Sequence, residues 1–527
     1  MWRGPRQQDK GLPCSDLAPS IDKIGRNEMG QQSGKKRAVI IGGGPAGLTA
    51  GYCLSKAGEA VTILEADPKY LGGISRTASY NGFLFDIGGH RFFSKSKAVE
   101  DFWHEILPND MLERPRMSRI FYGGKLYSYP LRAMEAFLNL GPFQSAACVL
   151  SYFKARAFPR PEVKSFEDWV TNQFGERLFR IFFKTYTEKV WGMNCNEISA
   201  DWAAQRIKGL SLGTAIKNAL FPEKPKDKSQ IVKSLISSFR YPRRGPGMMW
   251  ERCGERIREM GGEIAMGRRV TGCRWDSASR SWTIDARTAD GSVETYDGEH
   301  VISSAPIREL IPSLNPKASP AAVNSAQSLR YRDFLTVVLI VKDKDAFPDN
   351  WIYIHEPNVK VGRIQNFKSW SPEMVPDPSF SCYGLEYFCF ENDGLWNTAD
   401  QDLIALGASE LEKIGLGKSA DVVDGCVVRQ IKAYPVYDDA YSRHVNAIRH
   451  EVEQQYPNLH MVGRNGMHKY NNQDHAMMTA MLTAENILAG KTVYDVWEVN
   501  QDAEYHEAGT SGEQGASGLR MVPTRVA

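Results

Sequence analysis

"RAVIIGGGPAGLTAGYCLSKAGEAVTILEAD", residues 37–67, contains the pattern that decides the fold of the first part of the chain. A short apolar strand leads into a glycine-rich turn, and a helical stretch follows that ends at Gly58, a residue type common at helix C-termini. A second apolar strand then ends on Glu65. This order predicts a β–α–β unit of the kind that binds a dinucleotide between the first strand and the helix.

Three glycines in this stretch follow the spacing Gly-x-Gly-x-x-Gly. Gly42 permits a tight turn, Gly44 lets the backbone approach a pyrophosphate, and Gly47 lets the helix pack closely on the strand. The free N–H groups and the positive dipole end of the helix attract the pyrophosphate. Glu65 ends the second strand, where a carboxylate accepts hydrogen bonds from an adenosine ribose. The whole pattern predicts a bound dinucleotide rather than a glycine-rich turn without a ligand.

The segment "GGISRT" (72–77) indicates which dinucleotide is bound. It follows the second strand and adds backbone donors and the guanidinium of Arg76 beside the same diphosphate. Together with the β–α–β unit, this block resembles the FAD-binding N-terminus of the amine oxidase, phytoene desaturase and UDP-galactopyranose mutase families. The resemblance implies FAD and disfavours a plain NAD-dependent dehydrogenase.

Later segments are interpreted as returns of the chain to this flavin-binding domain. "FRYPRRGPGMMWERC" (239–253) joins a Pro/Gly-rich turn to a helix start, "RRVTGCRWD" with "SWTIDA" indicates a hairpin, and "HVISSAP" (300–306) indicates a strand. "LHMVGRNGMHKYNNQDHAMMTAMLTAENILAG" (459–490) predicts a strand, a loop and a helix that begins near Asn472 and ends before Gly490. The free N–H groups at the start of this helix are predicted to face the flavin edge that gathers negative charge on reduction.

The predicted cofactor site draws on these separate parts of the chain. The patterns and the family resemblance together imply FAD contacts from Gly42, Gly44, Pro45, Ala46, Gly47, Glu65, Gly73, Ser75, Arg76, Gly89, Val270, Gly463, Arg464, Asn472 and Gln473. No metal site is predicted, because the histidines and carboxylates nearby do not have the spacing of metal ligands.

Two inserts separate the flavin-binding segments. Residues 96–235 have apolar side chains at helical spacing, and residues 311–430 alternate strands with turns. We therefore expect an α/β fold with three kinds of unit. These are a discontinuous Rossmann-like FAD-binding domain with three ββα layers (37–95, 236–310 and 431–498), a helical insert (96–235) and an antiparallel-sheet substrate domain (311–430).

The composition is that of a globular protein, with 42% hydrophobic and 24% charged residues among 527. The net charge of +3 gives no support to a nucleic-acid partner. Nine cysteines without a C-x-x-C pair favour free thiols and a cytoplasmic location. Residues 1–36 lack a secretory apolar core, no run is long enough to span a bilayer, and both 1–36 and 499–527 are expected to be disordered.

Beyond the generic flavin motifs, residues 37–490 look most like the UDP-galactopyranose mutase family, in particular its longer eukaryotic-like branch. Five segments are similar to motifs of that family: "FDIGGHRFFS" (85–94), "KTYTEKVWG" (184–192), "WIYIHEPNVKVGRIQNFKSWSP" (351–372), "AYPVY" (433–437) and "GRNGMHKYNNQDH" (463–475). Together they are more specific than any one of them alone. The loop before Asn472 is shorter than in that family.

This resemblance implies an enzyme that interconverts the pyranose and furanose forms of a UDP-sugar, UDP-galactose in the known family, without net redox change. N5 of reduced FAD would attack the anomeric carbon and displace UDP, so that no Ser–His or Cys–His pair is needed. NAD(P)H is a possible external reductant, and a nucleotide-sugar is the expected partner. Such enzymes serve cell-surface polysaccharide biosynthesis.

The resemblance also implies roles for particular side chains. His90, Arg363 and Lys184 are the expected catalytic residues, and Tyr353, Tyr434, Tyr470 and Trp191 are the expected substrate contacts. Lys184 stands where the family has a second diphosphate-binding arginine, and it lacks the planar fork of a guanidinium. The mutase interpretation predicts that Lys184 and Arg363 converge on one polar cleft.

Residue chemistry alone leaves other interpretations open. His90 is either a neighbour of the flavin or a hydrogen-bonded structural histidine, and Arg363 is either a diphosphate ligand or part of a surface ion pair. The first rival function is an FAD-dependent oxidoreductase of the amine oxidase, phytoene desaturase or protoporphyrinogen oxidase type. It predicts an apolar or aromatic-caged tunnel without a charged pair over the flavin. The second rival is a non-catalytic flavin-binding protein with a closed, packed flavin face.

Overall fold

The computed structural model describes residues 37–129, 131–200, 238–499, 523, 525 and 526. The strands of these residues, in chain order, are β1 (Arg37–Ile41), β2 (Ala60–Glu65), β3 (Thr77–Tyr80), β4 (Phe83–Asp86), β5 (Met111–Pro115), β6 (Ser118–Tyr122), β7 (Lys125–Ser128), β8 (Ser238–Pro242), β9 (Glu263–Met266), β10 (Arg269–Asp276), β11 (Ser281–Arg287), β12 (Val293–Gly298), β13 (His300–Ser303), β14 (Leu314–Asn315), β15 (Tyr331–Lys342), β16 (Trp351–Ile354), β17 (Arg363–Asn366), β18 (Phe380–Cys389), β19 (Val422–Pro435) and β20 (Leu459–Met461).

The α-helices of the same residues are α1 (Pro45–Lys56), α2 (Lys97–Ile106), α3 (Ala133–Leu140), α4 (Pro142–Ala157), α5 (Phe166–Phe174), α6 (Glu176–Phe179), α7 (Thr185–Trp191), α8 (Pro246–Glu259), α9 (Ile307–Leu310), α10 (Pro320–Ser328), α11 (Phe367–Trp370), α12 (Asp400–Lys413), α13 (Tyr441–Gln455) and α14 (Gln473–Ala489). A π-helical turn over Arg180–Lys184 leads into α7. The helix predicted to begin near Asn472 is α14, and Gly490 ends it in a left-handed conformation.

A parallel sheet with the strand order β20-β13-β1-β2-β9 carries the predicted β–α–β unit, which is confirmed as β1–α1–β2. Successive side chains of a strand point to opposite faces. Ala38 and Ile40 of β1 pack with the helices α1, α8 and α14. Val39 and Ile41 pack on the other face against the four-stranded sheet β12-β11-β10-β14. The three predicted ββα layers follow from this alternation.

A seven-stranded sheet with the order β19-β15-β18-β17-β16-β6-β7 forms the second body of the fold. Its second strand β15, predicted from the run "FLTVVLIV", sends Phe334 and Val338 to one core and Leu335 and Val337 to the other. The sheet is mixed rather than antiparallel throughout, because β16 and β6 pair in parallel.

The segment predicted as a helical insert contributes part of that sheet. β6 and β7 form a hairpin whose turn holds Gly123 and Gly124 with φ of 59° and 71°, and it adds to β16. The left-handed backbone at both turn positions is one that glycine adopts without strain, and it is common in two-residue hairpins. The predicted helices of the insert are present from α2 to α7. Residues 201–235 of the predicted insert lie outside the described residues.

The two predicted disordered ends have different outcomes. Residues 1–36 lie outside the described residues, as does most of 499–527. Val499 is nevertheless fully buried, and the Val526 N–H donates to the Val493 carbonyl at 2.8 Å. The prediction that the tail does not pack is therefore wrong at Val499, whereas Val526 is 53% exposed.

Within the described ranges, no helix combines the length and the apolar character needed to cross a bilayer. The eight cysteines that the structure describes all carry free thiols, as the spacing predicted.

Candidate functional site

A cavity of about 540 Å³ lies at the carboxyl ends of β1 and β2 and reaches β19 and the start of α14. Its volume is in the range of small-molecule sites. Fourteen predicted site residues line it: Gly42, Gly44, Pro45, Ala46, Glu65, Gly73, Ser75, Arg76, His90, Val270, Gly463, Arg464, Asn472 and Gln473. The structure thus brings together residues from separate parts of the chain in one cavity. The predicted cofactor residues Gly47 and Gly89 pack behind its wall.

The glycines of the first motif have separable roles. Gly42 adopts a φ of +100° and donates its N–H to the Leu64 carbonyl at 2.9 Å, which forms the tight turn. A Cβ on Gly47 would lie 1.9 Å from the Gly42 carbonyl oxygen, so this glycine is needed for packing. A Cβ on Gly44 would meet nothing nearer than the Cα of Gly73, at 3.9 Å.

Gly44 and Gly73 therefore face each other across a narrow crevice that side chains would fill. Gly44 starts α1 without a side-chain cap, and the first turn of the helix carries no acidic residue. The N–H groups of that turn are available to an anion, and the helix dipole favours negative charge there. These residues fit the diphosphate of FAD.

Glu65 and Arg76 stand on either side of this crevice. The Glu65 carboxylate accepts the N–H groups of Gly43 at 2.5 Å and Asp67 at 2.8 Å, which fixes it at the end of β2. Each carboxylate oxygen has a second lone pair that is free to accept from a ribose hydroxyl. Arg76 donates to the Gly73 carbonyl at 2.9 Å and to Oε1 of Gln430 at 2.8 Å.

His90 lines the far end of the cavity. Its Nε2 lies 3.0 Å from the Ile87 carbonyl, which can only accept, so Nε2 carries the proton. Nδ1 is left to accept from the Ser75 hydroxyl at 3.4 Å. Burial, together with the positive charges of Arg464 and Arg363, lowers the pKa of His90 to about 4. The imidazole is therefore neutral at physiological pH.

A buried carboxyl group, that of Asp86, ends β4 just before the loop that carries His90. Asp86 accepts from the Tyr241 hydroxyl at 2.5 Å and from the Thr77 hydroxyl at 3.1 Å. Thr77 in turn accepts the Gly247 N–H at 2.9 Å, at the start of α8. Burial raises the pKa of Asp86 to about 8, although both hydrogen bonds act in the opposite direction.

Arg363 lies near Gly88 and does not line the cavity. In the sheet it stands opposite Tyr353 of β16 and Glu386 of β18. Its Nε and Nη2 donate to one oxygen, Oε2 of Glu386, at 2.9 and 2.6 Å. Burial lowers the pKa of Arg363, but the Glu386 carboxylate opposes this and holds the pKa well above its usual value. Glu386 is fully buried, and the guanidinium is 16% exposed.

Gly88, the first residue of the Gly88-Gly89 pair, lies close to both His90 and Arg363. A Cβ on Gly88 would lie 3.6 Å from Nε2 of His90 and 3.9 Å from Nη2 of Arg363. A Cβ on Gly89 would lie 2.8 Å from the amide of Gln365, whose Nε2 donates to the other oxygen of Glu386 at 2.7 Å. The glycines thus allow this loop to approach the ion pair closely.

The predicted substrate-binding aromatic residues form one cluster beside Arg363. Tyr434 and Tyr470 stack with centroids 5.5 Å apart and planes at 14°, and the Trp191 ring is 6.2 Å from Tyr470. Tyr353 meets Tyr186 edge to face at 5.3 Å. None of these five side chains lines the cavity itself.

Lys184 does not converge with Arg363, which corrects the expectation from the sequence. It ends the π-helical turn with an exposed side chain, whereas Tyr186, two residues further, is among the electrostatic neighbours of Arg363. Residues two positions apart in a helix are separated by about 200° around its axis. Tyr186 and Lys184 therefore lie on opposite sides of the helix, with Tyr186 toward the site and Lys184 toward solvent.

Sequence reasoning missed Glu386, Gln365, Tyr186 and Gln430. A signal for the first was present, because Glu386 is the only acid in the apolar strand "FSCYGLEYFC", and a charge there requires a partner. Gln430 also lines the cavity and holds Arg76. Its strand β19 extends to Pro435, past the predicted domain boundary at residue 430.

The crevice between Gly44 and Gly73, the uncapped start of α1 and the cavity at the strand ends define a dinucleotide-binding fold. Residues 45–488 match the family described as flavin-containing amine oxidoreductase. The chain belongs to this family, and FAD is its cofactor.

Individual relatives are more distant. L-amino-acid oxidase of Crotalus adamanteus is 38% identical over 80 residues, and the match covers 15% of each chain. Coproporphyrinogen III oxidase of Bacillus subtilis (strain 168) is 21% identical over 466 residues, which cover 82% of this chain and 93% of that protein. Among solved structures, reduced UDP-galactopyranose mutase superposes with a TM-score of 0.74 at 20% identity, covering 90% of this chain and 98% of the other. At that identity the likeness establishes the shared fold.

Proposed function

We propose that the protein is a flavin-dependent UDP-sugar mutase that interconverts pyranose and furanose rings, with a UDP-galactose-type substrate. The observation that carries this proposal is the buried Arg363–Glu386 pair beside Gly88, at the end of the cavity where His90 lies. Glu386 binds Nε and Nη2 of Arg363 and leaves Nη1 outside the pair. A guanidinium held in this way can offer that N–H group to a diphosphate.

The charges around His90 support the same proposal. Arg464 and Arg363 both act on His90 electrostatically, and the imidazole is neutral, so the net charge there stays positive after Glu386 balances Arg363. A bound reduced flavin supplies the nucleophilic ring nitrogen for this chemistry. Cationic side chains next to the site favour a negatively charged ring and a departing diphosphate alike.

The aromatic cluster has a matching role in the proposal. The hydroxyls of Tyr353 and Tyr434 lie in the cluster beside Arg363 and would donate to phosphate oxygens, while Trp191 would pack against the sugar. Burial raises the pKa of Tyr434, so its hydroxyl keeps its proton and acts as a donor.

The test uses the full-length holoenzyme. Dithionite-reduced enzyme incubated anaerobically with UDP-galactofuranose should yield UDP-galactopyranose by chromatography, and oxidised enzyme should yield none. Arg363→Lys keeps the charge but loses the fork, and we expect about tenfold weaker UDP binding with an unchanged flavin spectrum.

Arg119→Lys is the matched control, because Arg119 forms a two-bond pair with the buried Asp349 and does not line the cavity. It should leave UDP affinity unchanged. Loss of FAD on Arg363→Lys alone would assign Arg363 to cofactor binding instead. Failure of the reduced enzyme to convert the sugar would refute the proposal.

The second candidate is an FAD-dependent oxidoreductase acting on an amine, a polyene or a porphyrinogen. It is favoured by the family and by the 82% coverage of this chain in the match to coproporphyrinogen III oxidase. An aromatic cage needs about 7 Å between rings to hold a flat guest, and Tyr434 and Tyr470 are 5.5 Å apart. Oxygen consumption with an amine or a porphyrinogen, and no sugar conversion, would support this candidate.

A further inference from the structure

Helices α3 and α4 carry a set of exposed apolar side chains, none of which lines the cavity. Seven large apolar side chains of this hairpin are between 46% and 91% exposed: Met134, Phe137, Leu138, Phe143, Leu150, Phe153 and Phe158. A fully accessible phenylalanine offers roughly 200 Å² of surface. At their exposed fractions the four phenylalanines together contribute roughly 500 Å², and an apolar patch of this size on a monomeric protein is often a functional surface. We name these seven side chains the α3–α4 face.

The α3–α4 face follows from the helical period. Phe143, Ala146, Leu150, Phe153 and Ala157 recur at spacings of three and four residues, so they share the outer side of α4. The opposite side of α4 packs into the protein through Ser145, Cys148 and Ala155. Met134, Phe137 and Leu138 share one side of α3 in the same way. Both helices are thus amphipathic, and their apolar sides face outward.

The charges on this surface are basic. Lys154 lies among the apolar residues of α4, Arg156 follows it, and Arg132 precedes α3, all exposed. The nearby acids are engaged elsewhere. Glu135 accepts the Ser128 N–H at 2.9 Å, and Glu162 pairs with Lys164 at 2.5 Å.

These charges distinguish between possible occupants. In a two-fold contact between copies of this chain, Lys154 would be buried against a surface whose unengaged charges are also basic. That burial leaves a desolvated cation without a partner, which is costly. On an anionic lipid surface the apolar side chains enter the acyl boundary while lysine and arginine extend their charged ends to the headgroups.

We propose that the α3–α4 face docks the protein on an anionic phospholipid surface, with the hairpin lying in the interface. Phe143, Leu150 and Phe153 insert, and Arg132, Lys154 and Arg156 contact phosphate and carboxylate groups of the lipids. This inference is independent of the reaction that the flavin site catalyses.

The test is flotation of the full-length holoprotein with vesicles of phosphatidylcholine alone or with about one third phosphatidylserine. The wild type should float with the anionic vesicles, and high salt should weaken the binding. Phe143→Ser with Leu150→Ser should reduce binding about tenfold or more. Lys154→Glu with Arg156→Glu should reduce it on anionic vesicles and leave the flavin spectrum intact.

Val293→Ser is the matched control, because Val293 is a 55% exposed apolar residue on β12. It should bind vesicles like the wild type. Wild-type protein that does not float, or a Phe143→Ser/Leu150→Ser variant that floats normally, would overturn the proposal. A dimer in light scattering that becomes monomeric in that variant would also overturn it and assign the face to a second copy of the chain.

Discussion

Arg363 and Glu386 lie opposite each other on β17 and β18, and two N–H groups of the arginine meet a single carboxylate oxygen of a fully buried glutamate. Neither charge is tolerated alone at this depth, because a buried ion that loses its partner retains its desolvation cost. The pair therefore couples the stability of the seven-stranded sheet to the electrostatics of the site.

Glu386→Gln should lower the free energy of unfolding by about 3 kcal/mol, because Arg363 stays charged and loses its counterion. Urea denaturation measures this change. Asp101→Asn removes the carboxylate of the exposed Lys97–Asp101 pair and should cost at most about 0.5 kcal/mol. Equal effects of the two substitutions would contradict the assignment of Arg363–Glu386 as a buried ion pair.

Gly44→Ala and Gly47→Ala should separate a ligand-binding glycine from a packing glycine. A Cβ on Gly44 meets no atom nearer than 3.9 Å, so the protein should fold with normal thermal stability but lose FAD, because the methyl group fills the crevice. A Cβ on Gly47 would lie 1.9 Å from the Gly42 carbonyl, so this variant should lose both stability and FAD. Thermal unfolding and flavin absorbance report the two properties.

Gly394→Ala is the control for both substitutions, since nothing lies within 4 Å of its Cβ position. It should retain FAD and stability. Normal FAD retention by Gly44→Ala would argue against a diphosphate in the crevice.

Asp86→Asn should change how stability depends on pH. The folded state raises the pKa of Asp86 to about 8, so between pH 4 and 8 it binds a proton that the unfolded chain has released. Stability from this group is present below pH 4 and is lost as pH rises, by about 1.4 kcal/mol per pH unit. The variant lacks this dependence, so its stability relative to the wild type should improve from pH 5 to 8.

Urea melts across that range measure the difference. A curve for Asp86→Asn parallel to that of the wild type would show that Asp86 ionises normally in the folded protein.

His90 should remain neutral, with the proton on Nε2, from about pH 5.5 to 8, because burial and two nearby guanidinium groups lower its pKa to about 4. Nitrogen-15 spectra of histidine-labelled protein measure both the tautomer and the titration. The signal absent from His90→Asn identifies the residue. A transition near pH 6.5 would mean that the ring is solvated.

The segments around the first glycine motif and the start of α14 were predictable because each of their local sequence patterns fits one backbone arrangement. The turn at Gly42, the close approach at Gly47 and the helix start at Gln473 all lie where spacing predicted them. The surroundings of Arg363 were less predictable, because the contacts there depend on strand register. Tyr353 meets Arg363, and Arg363 meets Glu386, only once β16, β17 and β18 are aligned. The prediction that Lys184 converges with Arg363 was wrong because side chains two positions apart in a helix point in nearly opposite directions, and it is Tyr186 that faces Arg363.

The parallel sheet begins with β1 at Arg37 and is completed by β20 at Met461, and the cavity is closed by α14 from Gln473. A ribosome therefore has to release every residue from β1 to the start of α14 before the pocket is complete, so a shorter nascent chain lacks part of the site for the vitamin-derived coenzyme. Premature termination ahead of α14 leaves a colourless product, however intact its first dinucleotide motif.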